Sequence, residues 1–463
     1  MRSDPLPRSA PAAEGVSAAG IAAFLDATDA DPGIGLHSLM VLRHGRVIAE
    51  GWWAPHRPTD ARQLYSVSKS FTASALGLAV AEDRLALSDK VVDHFPNLAS
   101  VAGPRMRTVT VEHLARMATG HHSDTLEAMR QGDPTEPVHG FLRLEPESPP
   151  GSVFAYNNGA SYTLAAILQA RTGQTLTGYL EPRLFDPLGI APPFWDTMGG
   201  PREIGFAGLH LTTEDVARFG QLYAQGGQWH GQTVLPRDFV ATATRTLTPN
   251  PGEPEPDWQQ GYGYQFWQSR HGYRADGAFG QFCLVLPEQD AVVVITSETE
   301  MMQPLLDAVW EHLLPAFGGS GGSDDELAGR LATSGVPVEG GGTYSADDWL
   351  TARAVTRSAT GSGWSLTLAD ADRTLVIDCG DGRWQRTAVP TGADRVLLVE
   401  ASGRWPDPDT FVAELVLVQS PHRLTVSFQR STSRSVARWR TVPLRSPSLA
   451  GLAAPPRTWP TRH

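Results

Sequence analysis

The chain has 463 residues, 41% of them apolar and 19% charged, and a formal net charge of −12. That is enough material for two or three packed domains, and the acidic balance argues against a nucleic-acid-binding protein, which carries a basic excess. No run of 18 uncharged apolar residues could span a membrane, and the N-terminal segment has no continuous apolar stretch of the kind a secretory signal needs, so a cytoplasmic location is expected.

In chain order, residues 17–28 carry Ile21, Phe24 and Leu25 at helical spacing. Residues 37–53, HSLMVLRHGRVIAEGWW, read as two strands closed by a His44-Gly45 turn. From Ser66 to about Ala81 the period is helical, with Val67, Phe71, Ala75, Leu78 and Ala79 on one face. Further helices are expected over 111–117, over 161–171 (capped by Ser161 and closed by Gly173), and over 213–224, where Val216, Phe219, Leu222 and Tyr223 share a side. The runs FCLVL and AVVVITS flank Pro287-Glu288-Gln289-Asp290 as a second hairpin, and residues 301–317 form an amphipathic helix to cover a sheet. A region that begins helix–hairpin and ends hairpin–helix can close one antiparallel sheet with helices on it and a helical insert as a second lobe, an α+β arrangement spanning 1–317.

Residues 318–326, GGSGGSDDE, have the composition of a flexible linker, taken to extend over 318–340. Six strand-like runs follow (SLTLA, TLVID, RVLLVEA, TFVAELVLV, RLTVSFQ, VARWRTV), pointing to a small all-β barrel or sandwich over 341–447 and an irregular tail over 448–463. The basic stretch between His422 and Arg445 reads as a solvated strand face. Cys283 and Cys379 are far apart, in different expected domains, so no disulfide framework is expected.

Lysine occurs only twice, as Lys69 and Lys90. Lys69 stands three residues after Ser66, on the same face of a helix at its beginning. There the unpaired N–H groups favour a serine alkoxide, and the same field with burial lowers the pKa of an ammonium, so a neutral amine can take the serine proton. Arginine stays protonated and cannot. The bland alternative is a serine cap followed by a solvated lysine. A second element, Tyr156-Asn157-Asn158 before a helix, offers a phenol to relay a proton and an amide to hold a carbonyl; it is also ordinary turn chemistry. In a third, RADGAFGQ, Gly277 and Gly280 at a strand entry would let a backbone N–H face that of Ser66, and two such donors make an oxyanion hole. His121 and His122 have no second ligand pair at a metal-binding spacing.

The order of these elements, together with TVTVEHLARMATGH (108–121), DPLGI (186–190) and LHLTTEDVARFGQLYAQGG (209–227), resembles the penicillin-recognising serine hydrolases. The likeness is to the class C β-lactamase-like branch with its esterases, D-aminopeptidases and peptide-cyclising thioesterases, and it covers about residues 15–317. The resemblance implies the β-lactamase/transpeptidase fold. It makes Ser66 the nucleophile, Lys69 its base, Tyr156 the proton shuttle and Asn158 the substrate-positioning amide, with the N–H groups of Ser66 and Ala278 as the oxyanion hole. It implies no metal and no organic cofactor. One triplet departs from the pattern. Where the family has Lys/His-Thr-Gly, this chain has Ala275-Asp276-Gly277, so the cation that meets a substrate carboxylate is missing and Asp276 should repel one. Arg274 or His271 could substitute, but strand alternation is expected to point Arg274 away. The C-terminal β region resembles the lipocalin-like barrels appended to some members.

The function expected is a serine hydrolase that cleaves an ester or small amide through an acyl-enzyme, with weak or no β-lactamase activity, on a small-molecule or peptide substrate. The alternatives are an acyl transferase of the peptide-cyclising thioesterase type and a non-enzymatic binding module on the same fold.

Overall fold

The computed structural model describes residues 4–336, 342–347, 349–359, 361–445 and 448–455. Its centre is a six-stranded antiparallel sheet with spatial order Arg46–Trp52, Leu36–Arg43, Ala291–Ser297, Gln281–Leu286, Tyr273–Gly277 and Trp267–Gln268. The first two strands form the expected hairpin, and His44 and Gly45 both take positive φ (51° and 74°), as a tight two-residue turn between twisted strands demands. Successive side chains of a strand face opposite sides. Leu39, Val41, Val293 and Ile295 therefore meet Ile21, Phe24 and Leu25 of the helix Ala18–Ala30. Met40, Leu42, Val292 and Val294 point the other way, to the helices Ser68–Ala81 and Thr213–Ala224. Both faces are covered, which is why these strands read as unbroken apolar runs rather than alternating ones.

Thr213–Ala224 begins at a capping box between Thr212 and Asp215 and turns Val216, Phe219, Leu222 and Tyr223 inward. Phe71 stacks on Phe219 with ring centroids 3.9 Å apart, tying the two helices under the sheet. Other elements differ from the sequence reading. Ser68–Ala81 is buried on nearly every side, so Leu76 joins the core and Leu78 is only half-buried. The insert helix runs Asn158–Thr172, beginning three residues before the expected start, because the Asn157 side chain accepts from Ala160 N and takes the capping role assigned to Ser161; Gly173 (φ 69°) closes it. The terminal helix is broken into an α segment, Met302–Ala308, a π segment, Val309–Leu313, and a 3-10 turn, Leu314–Ala316.

The supposed linker carries a helix, Asp324–Thr333, capped by Ser323, whose Leu327 and Leu331 seat in the same core as the helix Ala18–Ala30. Two apolar residues one turn apart outweighed a glycine-rich approach. Part of the expected linker, residues 337–341, and the end of the expected tail, residues 456–463, lie outside the described residues.

The C-terminal region is a nine-stranded, almost wholly antiparallel sheet curled into a half-barrel around Leu366, Ile377, Val399, Leu415, Val426 and Trp439. Leu350–Arg357 and Gln385–Pro390 add strands to the six apolar runs read from the sequence. Both are half-exposed and arginine-bearing, which hid their period. The start of the expected tail is not irregular throughout: Leu449 and Ala453 plug the half-barrel core, and Ala454 bridges to Val396. Cys283 and Cys379 are buried, free, and in separate cores.

The basic stretch after His422 is not a solvated face. His422 and Arg423 are buried where the half-barrel meets the first domain. Glu298, itself buried at the end of the strand Ala291–Ser297, is 2.8 Å from Arg423 Nη2 and 3.1 Å from Arg440 Nε. Two further pairs, Arg386–Asp60 at 2.9 Å and Arg57–Glu400 at 2.8 Å, cross the same boundary. Removing one partner of a buried pair leaves an uncompensated charge, so Glu298→Ala is expected to cost about 3–5 kcal/mol of stability. The measurement is the midpoint of urea unfolding; a midpoint equal to that of the parent protein would show that the cluster contributes nothing.

Candidate functional site

The candidate residues converge where the half-barrel, the sheet and the insert meet. Ser66 lies in a 3-10 turn, Tyr65–Val67, that feeds directly into Ser68–Ala81. Lys69, one turn later, is buried, and its Nζ donates to Ser66 Oγ at 2.9 Å, Asn158 Oδ1 at 2.7 Å and the Phe206 carbonyl at 2.9 Å. Burial pushes the lysine pKa down from 10.5 to about 7, against the opposing pull of the Asp124 and Asp276 carboxylates. Three acceptors suit the three N–H donors of an ammonium, while desolvation favours the neutral amine. The two balance near neutrality, where a general base is most effective.

Tyr156, just before the insert helix Asn158–Thr172, hydrogen-bonds Ser66, and its ring face lies 4.8 Å from Lys69 Nζ. Burial raises its pKa, so the phenol holds its proton until a neighbour accepts it. Stacking on Trp267 (centroids 5.3 Å) and an edge contact with Tyr262 (6.2 Å) fix the ring. Asn158 is held at both ends of its amide. Its Oδ1 faces Lys69, and its Nδ2 donates to Asp124 Oδ2 at 2.7 Å while its backbone N donates to Asp124 Oδ1 at 2.8 Å. Its second Nδ2 proton takes no part in these contacts.

Gly277 ends the strand Tyr273–Gly277 directly against the serine turn. A Cβ there would stand 2.3 Å from the Leu64 carbonyl and 3.3 Å from Ser66 N, so only glycine permits this approach. Ala278 follows, at the head of the turn that leads to Gln281. Gln281 braces that turn by donating to the carbonyls of Ser297 at 2.7 Å and Phe279 at 3.0 Å.

Arg274 is fully buried, and its charge is taken up by Asp276. Positions i and i+2 share a strand face, and Arg274 Nε donates to Asp276 Oδ2 at 2.8 Å. Ala275 is the residue on the opposite face, in the core with Cys283. The Arg274 guanidinium also donates to the Gln268 carbonyl and Ser269 Oγ, each at 2.8 Å, under the Trp258 ring. Asp276 is therefore not a bare charge. Burial raises its pKa while Arg274 opposes the rise. His271 is exposed beside Trp310, outside this group.

The sequence reading missed Asp124 and the Phe206 carbonyl. Asp124 follows His121-His122-Ser123, where the histidines drew attention to metals. His121 instead bonds Thr119 Oγ1 at 2.9 Å and the Leu144 carbonyl at 3.1 Å, and no group of three metal-ligating side chains occurs among the described residues. A carbonyl acceptor has no signature in side-chain identity. Beside the site, a cleft of about 530 Å³ is bounded by Tyr65, Asp124 and Phe206 on one side and Leu444 and Leu452 of the half-barrel on the other.

Residues 21–313 match the family model described as beta-lactamase. The chain belongs to the beta-lactamase family of serine hydrolases. Relatives include 6-aminohexanoate-dimer hydrolase of Paenarthrobacter ureafaciens, 27% identical over 284 residues that cover 56% of this chain and 71% of that one. Penicillin-binding protein 4 of Amycolatopsis lactamdurans is 25% identical over 299 residues, covering 56% and 77%. Among solved structures, SurE superposes with a TM-score of 0.52 at 19% identity over 93% of this chain and 100% of its own, a likeness of fold that extends through the half-barrel.

The lysine environment sets a pH expectation. If neutral Lys69 is the reactive form, acylation at Ser66 rises with pH through about 7, the value to which burial brings the amine, and Lys69→Arg shows no such limb. Asp124 holds the lysine pKa up, so Asp124→Asn should move the limb to lower pH while slowing acylation about tenfold or more through a misplaced Asn158. Stopped-flow acylation rates against pH check both; a limb that stays in place in Asp124→Asn would show that the carboxylate does not reach Lys69.

Proposed function

We propose that this chain hydrolyses an ester or small amide by acyl transfer to Ser66. The observation that carries the reading is the buried Lys69 amine 2.9 Å from Ser66 Oγ with its pKa brought down to about 7. The Ser66 proton passes to neutral Lys69 as Oγ attacks the substrate carbonyl, and the oxyanion forms against the N–H groups of Ser66 and Ala278. Tyr156 gives its proton to the departing alcohol or amine and regains one from Lys69. Water, activated through the same phenol, then cleaves the acyl-enzyme and restores the Ser66 hydroxyl. Asn158 orients the acyl group. The half-barrel is read as a lipocalin-like appendage.

Asp276 weighs against β-lactams. Arg274 offsets its charge but is sealed beneath Trp258 and cannot itself meet a substrate carboxylate. A β-lactam would set its anionic group against a carboxylate already paired elsewhere. Acyl transfer to an amine is the second reading, favoured by the cleft between the two domains, which could hold an acceptor in place of water. The positioned Ser66, Lys69 and Tyr156 weigh against a binding module without chemistry.

Intact-mass analysis after fluorophosphonate treatment should show one adduct, absent in Ser66→Ala and formed about 10²–10⁴-fold more slowly in Lys69→Ala. Short-chain p-nitrophenyl esters should turn over far faster than nitrocefin. A protein that neither labels nor cleaves the esters would remove the serine-hydrolase mechanism, and efficient nitrocefin hydrolysis would overturn the role given to Asp276.

A further inference from the structure

The half-barrel grips two of the three residues that lead to Ser66, Gln63 and Tyr65. Gln63 N donates to the Gln419 carbonyl at 2.9 Å. The Tyr65 hydroxyl meets His422 Nε2 at 2.6 Å and also takes a hydrogen bond from the backbone of Leu444. Gln419, His422 and Leu444 all belong to the C-terminal domain, whereas Gln63 and Tyr65 belong to the first.

The direction of the Tyr65–His422 bond follows from the groups around it. His422 Nδ1 lies 3.0 Å from the Thr441 carbonyl, which can only accept, so Nδ1 carries the ring proton. Burial pushes the imidazole pKa down to about 3, so the ring is neutral and Nε2 has a lone pair. Tyr65 therefore donates to His422. Thr441 Oγ1, also 3.0 Å from Nδ1, can accept the same proton, whereas the opposite tautomer would set a ring lone pair against the Thr441 carbonyl.

What this bond holds is unusual backbone. Tyr65 has φ 48° and Phe279 has φ 65°, both in the left-handed region that non-glycine residues rarely adopt. Tyr65 immediately precedes Ser66 N, and Phe279 immediately follows Ala278, so each strained residue abuts one of the two N–H groups assigned to the oxyanion. The two side chains pack on each other (centroids 5.3 Å) and on the His422 ring, at 5.9 Å for Tyr65 and 4.9 Å for Phe279, edge to face in each case. Such conformations persist where surrounding contacts over-determine them. Here the contact that joins both is one imidazole from another domain.

We propose that the C-terminal half-barrel is a working part of the reaction centre, and that His422 is a positioning residue that fixes the Ser66 and Ala278 N–H groups through Tyr65 and Phe279. This rests on the acyl-enzyme reading of Ser66. It assigns the appended domain a role in rate, beyond covering the cleft or adding stability. Misplacing oxyanion donors by a fraction of an ångström to one ångström slows acylation without changing how the rest of the substrate binds.

The test uses the full-length protein and measures fluorophosphonate labelling of Ser66 by intact mass, with kcat and KM for a p-nitrophenyl ester. Tyr65→Phe removes only the hydroxyl; His422→Phe keeps a ring and removes the acceptor; His422→Gln restores an acceptor near the Nε2 position. Tyr65→Phe and His422→Phe should each lower the labelling rate and kcat about ten- to hundredfold with KM within about threefold. The double variant should be no slower than the slower single one, and His422→Gln should recover much of the loss. Parent protein that takes no label overturns the reading of Ser66. Labelled parent with Tyr65→Phe or folded His422→Phe labelling at the parental rate overturns the role of His422 alone. A loss that appears wholly in KM does the same. Should His422→Phe fail to fold, Tyr65→Phe decides the question, since it deletes one oxygen and leaves the packing.

Discussion

Everything in the site depends on a lysine amine that has been taken out of water. Lowering its pKa from 10.5 to about 7 corresponds to about 5 kcal/mol against the charged form. Below about pH 7 both the folded and the unfolded chain hold the proton, and that cost weighs fully against folding. As the pH rises from about 7 towards 10.5 the folded chain has already released the proton while the unfolded chain has not, so the penalty diminishes. The same burial that imposes this cost makes the neutral amine available near neutral pH. Asp124 and Asp276 limit it, and the carbonyl of Phe206 and the amide of Asn158 give the ammonium partners when it forms.

Holding that amine dry requires three parts of the chain at once. The central sheet supplies the strand whose Gly277 reaches the serine turn, and the helix Ser68–Ala81, locked by Phe71 on Phe219, sets the spacing of Ser66 and Lys69. The insert brings Tyr156 and Asn158, with Asp124 orienting the latter. The half-barrel packs on the serine turn at Tyr65 and Phe279, held by buried and half-buried ion pairs centred on Glu298, Asp60 and Glu400. Breaking such pairs is costlier than forming them is favourable. The cluster thus suits a contact that must not open rather than one that adds net stability.

Much of the first domain was legible because its elements announce themselves locally. The hairpin at His44-Gly45 and the apolar face of Thr213–Ala224 with Val216, Phe219, Leu222 and Tyr223 follow from turn chemistry and periodicity. Asp324–Thr333 and the plug at Leu449 were hidden, since each has few apolar residues and gains its partners only from distant strands. Asn157 took the cap expected of Ser161 because an Asx side chain competes for the first free N–H groups of a helix.

The sequence by itself determined the pairing of a serine with a scarce lysine one helical turn away, the Tyr156–Asn158 segment, and a third strand entry that lacks the usual cation. Local spacing is enough for these, since helix and strand geometry decide which neighbours share a face. Only the tertiary structure decided that Lys69 is buried, that Arg274 pairs with Asp276, that Asp124 orients Asn158, and that His422, 356 positions after Ser66, closes over the serine turn. Burial, ion pairing and tautomer are properties of the surroundings in space, and residues far apart in the chain create them.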